Sequence, residues 1–166
     1  MSLLEILHYP NPQLRTKAQP IKTIDDDIRR LVADMRKTMY ANHGVGLAAT
    51  QVGVHLQLFV MDVSEDKQEV FDVINPEIIE ASGELHDAEG CLSVTGTFDK
   101  VKRFSQVVLR SMNLAGESIE IKASGLMAVC IQHEVDHLNG ILFVDHLSKL
   151  KQNRIRKKFD KLTRRK

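Results

Sequence analysis

The 166-residue sequence has no tryptophan, only two cysteines and only four prolines. Two cysteines cannot build the disulfide framework of a small secreted domain, so we expect a reduced, cytoplasmic protein. No apolar run approaches the roughly 20 residues of a membrane span. The N-terminal stretch MSLLEILHYPNPQLR also lacks the basic flank and long apolar core of a signal peptide. We therefore expect neither a disulfide scaffold nor a membrane protein.

The remaining composition is that of one globular domain, with 43% hydrophobic and 27% charged residues and no repeat. The charge is distributed unevenly. Residues 147–166 contain ten Lys/Arg and one acidic residue, a charge of +9, whereas the whole chain carries +1. The preceding 146 residues therefore carry −8. We divide the chain into a catalytic domain, 1–146, and a basic C-terminal helix of the same domain, 147–166.

The stretch SGLMAVCIQHEVDHLNG predicts a helix over about 124–139. Ser124 is a suitable N-cap, and Gly140 lies where a left-handed C-cap falls. Apolar residues recur at helical spacing along one face of this segment. The segment is therefore expected to be a buried helix.

Two histidines on this helix are separated by one turn. His133 and His137 can hold one metal ion from the same side, and Glu134 can direct its carboxylate at a water as general base. The alternative is a buried helix with two hydrogen-bonded core histidines. The HExxH pattern favours a metal site.

A third protein ligand is expected upstream of this helix. No glutamate follows Glu134, and Phe143 stands where a metzincin requires its third histidine. Cys91, in the turn-like segment EGCLS, is the natural candidate because a thiolate binds Zn²⁺ or Fe²⁺ strongly. Cys130 is the rival, although three ligands on one straight helix seldom surround a tetrahedral ion.

The rest of the chain predicts an α+β protein. An amphipathic helix is expected at about 25–42, followed by the glycine- and alanine-rich segment 44–53, GVGLAATQVG. That segment is either a structural turn or a site of close ligand approach in which Gln51 supplies an amide donor. Strands then precede the histidine helix, which argues against alternating βαβ units. Extended runs are predicted at 55–63, 70–74, 77–86, 101–112 and 118–122.

Three segments in this order, GVGLAATQVG, EGCLS and QHEVDHLNG, resemble the signature motifs of the peptide deformylases. The similarity spans essentially the whole chain and is greatest to the bacterial type with a helical C-terminus. It implies antiparallel β-sheets packed around a central metal-binding helix, with N- and C-terminal helices. It also implies a hydrolase that removes the N-terminal formyl group from formyl-methionine of nascent polypeptides.

The resemblance implies roles for individual residues. Glu134 assists attack of metal-bound hydroxide on the formyl carbon, and Gln51 with the Leu92 backbone N–H stabilises the oxyanion. Fe²⁺ is the expected metal, with Zn²⁺ or Ni²⁺ able to replace it. The implied metal ligands are Cys91, His133 and His137.

The sequence indicates the residues of the substrate cleft less clearly than those of the metal site. The residues expected to bind the substrate's methionine side chain, which could equally be ordinary core, are Val45, Gly46, Leu126 and Val129. Members of the family often have proline at the position of Thr95 and an apolar residue at that of Asp87. These departures concern the shape of the cleft rim and not the reaction.

Two other function classes remain open on the residues alone. One is a metallo-peptidase that cleaves ordinary amide bonds, and the other is a non-enzymatic, metal-stabilised RNA-binding module. Glu134 disfavours the second, since a structural metal site has no use for an adjacent carboxylate. The expected partners are N-formylmethionyl nascent peptides and, through the basic helix, the ribosome surface. No membrane and no specific DNA are expected.

Overall fold

The computed structural model describes residues 2–165, and over this range the chain forms three α-helices and seven β-strands. None of these helices is long and apolar enough to cross a membrane. The helices are α1 (Asp26–Ala41), α2 (Gly125–Leu138) and α3 (Lys149–Arg164). The strands are β1 (Gly46–Ala48), β2 (Leu58–Met61), β3 (Phe71–Ser82), β4 (Leu85–Glu89), β5 (Asp99–Arg103), β6 (Gln106–Met112) and β7 (Ser118–Ser124). Short 3₁₀ turns occupy Pro12–Arg15, Ala49–Val52 and Phe143–His146.

The strands form two antiparallel sheets. The larger sheet has the order β1-β2-β3-β6-β7, and the smaller pairs β4 with β5. Within residues 2–165, β1 and β4 each have a paired strand on one side only. The predicted α+β class with antiparallel sheets is therefore confirmed.

Helix α1 forms where the sequence predicts it. The Asp25 side chain accepts a hydrogen bond from the Ile28 backbone N–H at 3.0 Å, which caps the helix, and two further aspartates lie in its first turn. Its apolar stripe packs against the larger sheet through the buried residues Ile28, Val32, Met35 and Met39. This packing attaches α1 to the face of β2.

Helix α2 lies in the interior, and most of its residues are buried. Ser124 precedes the helix in extended conformation, but its side chain makes no capping hydrogen bond. Gly140 has a φ of 74°, and a Cβ there would lie 2.4 Å from the Arg15 carbonyl oxygen. Both the left-handed backbone and this close approach require glycine at the end of the helix.

The separation of the runs predicted at 70–74 and 77–86 was wrong, because β3 continues through Asn75 and Pro76. Asn75 adopts a positive φ of 51°, and its side chain bonds both the N–H and the C=O of Ile21, at 2.8 and 2.9 Å. The pairing of β3 with β6 shifts register at this point. A β-bulge thus absorbs the proline within one long strand.

The run predicted at 101–112 divides into β5 and β6 at Phe104 and Ser105. The Gln132 side chain of α2 accepts from the Phe104 N–H at 3.0 Å and donates to the Phe104 C=O at 2.9 Å. The backbone N–H and C=O of Phe104 are therefore bonded by a side chain distant in sequence, which no local pattern could indicate.

Helix α3 docks on the body over part of its length. Phe159 is buried against Tyr9 in an edge-on contact with ring centroids 5.6 Å apart, and Lys151 pairs with Asp99 at 3.0 Å. Leu150 and Leu162, two other apolar residues of this helix, are 63% and 46% exposed. The helix is therefore attached mainly through Phe159.

Candidate active site

Three side chains with metal-binding donor atoms converge in the interior. The Nε2 atoms of His133 and His137 lie 3.2 Å apart, and the Cys91 Sγ lies 3.3 Å from the His137 Nε2. All three donor atoms lie within 4.8 Å of one another. The structure thus brings together residues separated by more than 40 positions in the sequence.

Two elements create this convergence. The four-residue spacing of His133 and His137 places their rings one turn apart on the same face of α2. Cys91 follows β4, which ends at Glu89, and is half-buried at the start of the next turn. A rigid helix and the end of a strand therefore hold the donors, which limits how far they can separate.

A buried ion pair fixes the orientation of His133. The His133 Nδ1 lies 2.9 Å from Glu89 Oε1, and Arg103 donates two hydrogen bonds to the same carboxylate, at 2.8 and 3.0 Å. Burial acts to raise the pKa of Glu89, but the hydrogen bonds from His133 and Arg103 lower it below its ordinary value. An ionised Glu89 keeps the proton on Nδ1 and leaves Nε2 free to bind a cation.

The same arginine extends the network to the surface side of α2. Arg103 also donates to Asp136 at 2.6 Å, and His146 lies 2.9 Å from the same carboxylate oxygen. No local sequence pattern indicates that Arg103 or Asp136 belongs to the site. Glu89 was visible within EGCLS, but its partner lies on another strand with no local signal.

Glu134 is buried beside this cluster. Its Oε2 has no hydrogen-bond partner within residues 2–165, and burial raises its pKa to about 7. A Cβ on Gly46 would lie 2.6 Å from Glu134 Oε1 and 2.9 Å from the Cys130 Sγ. Glycine at position 46 therefore leaves the space that the carboxylate occupies.

The Gln51 side chain is held in one orientation. Its Oε1 accepts a hydrogen bond from the Ala48 N–H at 2.9 Å. Its Nε2 lies 3.1 Å from the Ser93 Oγ and 3.6 Å from the Cys91 Sγ. The amide N–H₂ group is thus directed at the cluster, and Ser93 is a further site residue that sequence analysis did not identify.

The second cysteine lies outside the donor cluster. The buried Cys130 Sγ is 3.8 Å from the Val45 carbonyl oxygen, and burial raises its pKa well above the ordinary value. The Cys130 Sγ is not among the three donor atoms that lie within 4.8 Å of one another. The geometry therefore favours Cys91 over Cys130 as the third donor.

A cavity of about 410 Å³ opens onto the cluster. Cys91, His133, Glu134 and Gln51 form its inner wall. The four residues expected to bind the substrate side chain all line it: Val45, Gly46, Leu126 and Val129. Asp87, Thr95 and Leu92 line it as well. The two departures noted in the sequence are thus located on the cleft.

This donor set fits a divalent cation. Two imidazole nitrogens and one sulfur converge, His133 is oriented by a carboxylate, and a second carboxylate lies unpartnered beside them. Two of the three donors, Cys91 and His133, line the cavity. A cation held by three such donors would keep a coordination position for a reacting group, which distinguishes a catalytic from a structural site. Fold and site together define a metal-dependent hydrolase.

Comparison with known proteins identifies the particular family. The model of the polypeptide deformylases matches residues 3–153. The peptide deformylase of Azotobacter vinelandii is 57% identical over 97% of this chain and 96% of its own, and that of Acinetobacter baumannii is 54% identical over 99% and 94%. The crystal structure of the Legionella pneumophila enzyme superimposes with a TM-score of 0.93 at 46% identity, covering 98% of this chain and 96% of its own.

The chain belongs to the peptide deformylase family, a family of metalloenzymes. It is a hydrolase that removes the formyl group from N-terminal formyl-methionine. Membership decides between this activity and the two alternatives, a general metallo-peptidase and a non-enzymatic RNA-binding module. The activity predicted from the three motifs is confirmed.

The buried ion pair at His133 generates a stability prediction. Arg103→Leu leaves the Glu89 carboxylate buried without its main partner, so the free energy of unfolding should fall by about 3–5 kcal/mol. The matched control is Arg110→Leu, which breaks an exposed pair with Glu120 and should cost about 1 kcal/mol or less. Urea denaturation measures both. Equal effects of the two substitutions would contradict the role given to Arg103.

Proposed function

We propose that Cys91, His133 and His137 hold the catalytic cation and that Glu134 transfers the proton during hydrolysis of the formyl amide. The observation that carries this proposal is the buried, unpartnered Glu134 carboxylate beside the only three-donor cluster found within residues 2–165. An unpartnered buried carboxylate costs free energy, so a functional reason for it is required.

The bound cation is Fe²⁺ in this proposal, with Zn²⁺ or Ni²⁺ able to replace it. Mixed thiolate and imidazole ligation suits all three ions. When bound, the cation supplies positive charge that acidifies water and polarises a carbonyl oxygen. Both cysteines are free thiols, which agrees with the reduced cytoplasm where formylated chains are made.

Glu134 acts first as base and then as acid. Its carboxylate takes a proton from the attacking water and returns it to the departing amine as the formyl C–N bond breaks. A pKa raised to about 7 by burial suits both transfers at neutral pH. The space left by Gly46 allows the carboxylate to face the cavity.

Gln51 and the Leu92 backbone N–H stabilise the negative charge that develops on the formyl oxygen. The Gln51 amide is already oriented by Ala48 and Ser93, so little reorganisation is needed when the charge appears. Loss of one such donor typically lowers turnover about 10²–10³-fold.

The substrate peptide lies between two unpaired strand edges. Residues 44–46 and 87–90 both line the cavity, and these include the ends of β1 and β4. An extended peptide can hydrogen-bond to such edges as an added strand. Val45, Gly46, Leu126 and Val129 then receive the methionine side chain.

The role of Glu134 generates a kinetic prediction. Glu134→Gln keeps the shape of the side chain but removes the proton acceptor, so deformylation of a formyl-Met tripeptide should fall at least 100-fold. Metal content, measured by mass spectrometry, should remain that of the unsubstituted protein.

This experiment has one control and one contradicting outcome. An N-acetylated peptide of the same sequence should not be cleaved at its internal amides by either protein. A Glu134→Gln protein that loses its metal, or that retains more than about a hundredth of the activity, would contradict the assignment.

We propose a second partner, the ribosome surface, for the basic helix. Residues 147–166, which carry +9, follow a catalytic domain, 1–146, that carries −8. Most basic side chains of α3 are exposed, and the helix is attached mainly by Phe159. Phosphate-rich RNA attracts such a helix by counterion release, while the acidic body faces away.

A charge reversal tests this partner without removing the docking residue Phe159. The triple variant Arg154→Glu, Lys157→Glu, Lys161→Glu should weaken ribosome binding about tenfold or more in sedimentation assays and reduce its salt dependence. Hydrolysis of a free formyl-Met tripeptide should be unchanged.

The matched control changes the net charge equally on the body, at the exposed residues Lys17, Lys22 and Lys122. This control should bind ribosomes almost as the unsubstituted protein does. If both triple variants weaken binding equally, net charge and not the helix determines the interaction.

A further inference from the structure

A large aromatic side chain on the wall of the cleft has no role in the chemistry described above. Phe98 is 72% exposed, yet it lines the cavity that contains Cys91 and Glu134. Scattered exposed apolar residues are common on protein surfaces. An exposed ring that faces a substrate cavity is different, because a ligand in that cavity can cover it.

The ring packs against the main chain beside the donor cluster. A Cβ on Gly90 would lie 2.4 Å from Phe98 Cε1 and 2.7 Å from Cδ1, so the ring packs directly on the glycine. Gly90 immediately precedes Cys91. The ring therefore contacts the residue immediately before the proposed sulfur ligand, at the end of β4.

Phe98 belongs to a different part of the cleft from the methionine pocket. That pocket is formed by Leu126 and Val129 of α2 with Val45, whereas Phe98, Thr95 and Gly96 lie in the segment between Cys91 and β5. Successive side chains of an extended peptide point to opposite sides. When the methionine faces α2, the second side chain faces away from it.

We propose that Phe98 determines specificity for the second residue of the formylated peptide and favours a large apolar or aromatic side chain there. This inference rests on the proposed function, because it takes the methionine pocket and the extended peptide as given. Contact between the ring and the substrate side chain removes apolar surface of both from water. A serine at the same position gains no such contact.

The first test compares three tripeptides: formyl-Met-Phe-Ser, formyl-Met-Ser-Ser and formyl-Met-Ser-Phe. The metal-loaded protein should show kcat/KM about five- to tenfold higher for the first than for the second, as expected for an aromatic pair. Phe98→Ser should bring this ratio close to one. Phe104→Ser, which alters a 51% exposed phenylalanine outside the cavity lining, should leave the ratio unchanged.

A substitution that creates a new preference excludes misfolding as the explanation for a lost preference in Phe98→Ser. Phe98→Lys should favour formyl-Met-Glu-Ser over formyl-Met-Phe-Ser, because an ammonium group then faces the second side chain. Calorimetric titration of the same peptides into metal-loaded Glu134→Gln protein measures binding without turnover. The order of affinities should follow the order of kcat/KM.

The outcomes separate this inference from the function on which it rests. Equal ratios in the unsubstituted and Phe98→Ser proteins, or a preference that follows the third residue, would overturn the role of Phe98 while leaving deformylation intact. Failure to hydrolyse any formyl-Met peptide would overturn the proposed function and this inference with it.

Discussion

Ionisable groups in an apolar interior are tolerated only when each has a partner or a function, and the architecture around α2 satisfies this constraint. Arg103 neutralises Glu89, and Glu89 in turn orients His133. Among the buried carboxylates of the described chain, Glu134 alone has an oxygen without a hydrogen-bond partner. The pairing network therefore holds the donor set rigid, while the one unpaired carboxylate remains available for proton transfer.

Much of the fold could be predicted because its signals are local. The Asp25 cap, the apolar stripe of α1 and the His133–His137 spacing each lie within one or two helical turns, where sequence period and structure correspond directly. The β3 bulge at Asn75 and the break at Phe104 were not predicted. The Asn75 side chain bonds the backbone of the distant residue Ile21, and the Phe104 backbone is bonded by the distant Gln132 side chain. Local sequence pattern contains no information about either contact.

In the site, too, local features could be predicted from the sequence and contacts between distant residues could not. The helix-borne pair His133 and His137 was readable from spacing, whereas Cys91 rested on an open choice between two cysteines and on family resemblance. The structure brings Cys91 to the pair and places Cys130 against the Val45 carbonyl. Arg103 and Ser93 act through residues more than ten positions away, so only the folded chain associates them with the site.

The central claim is that one sulfur and two imidazole nitrogens hold the cation. X-ray absorption spectroscopy of protein loaded with Fe²⁺ without oxygen measures these ligands directly. A single sulfur scatterer at about 2.3 Å with two nitrogen scatterers is expected, and Cys91→Ser should remove the sulfur contribution while Cys130→Ser retains it. A spectrum without sulfur, or one that loses sulfur only in Cys130→Ser, would contradict the account.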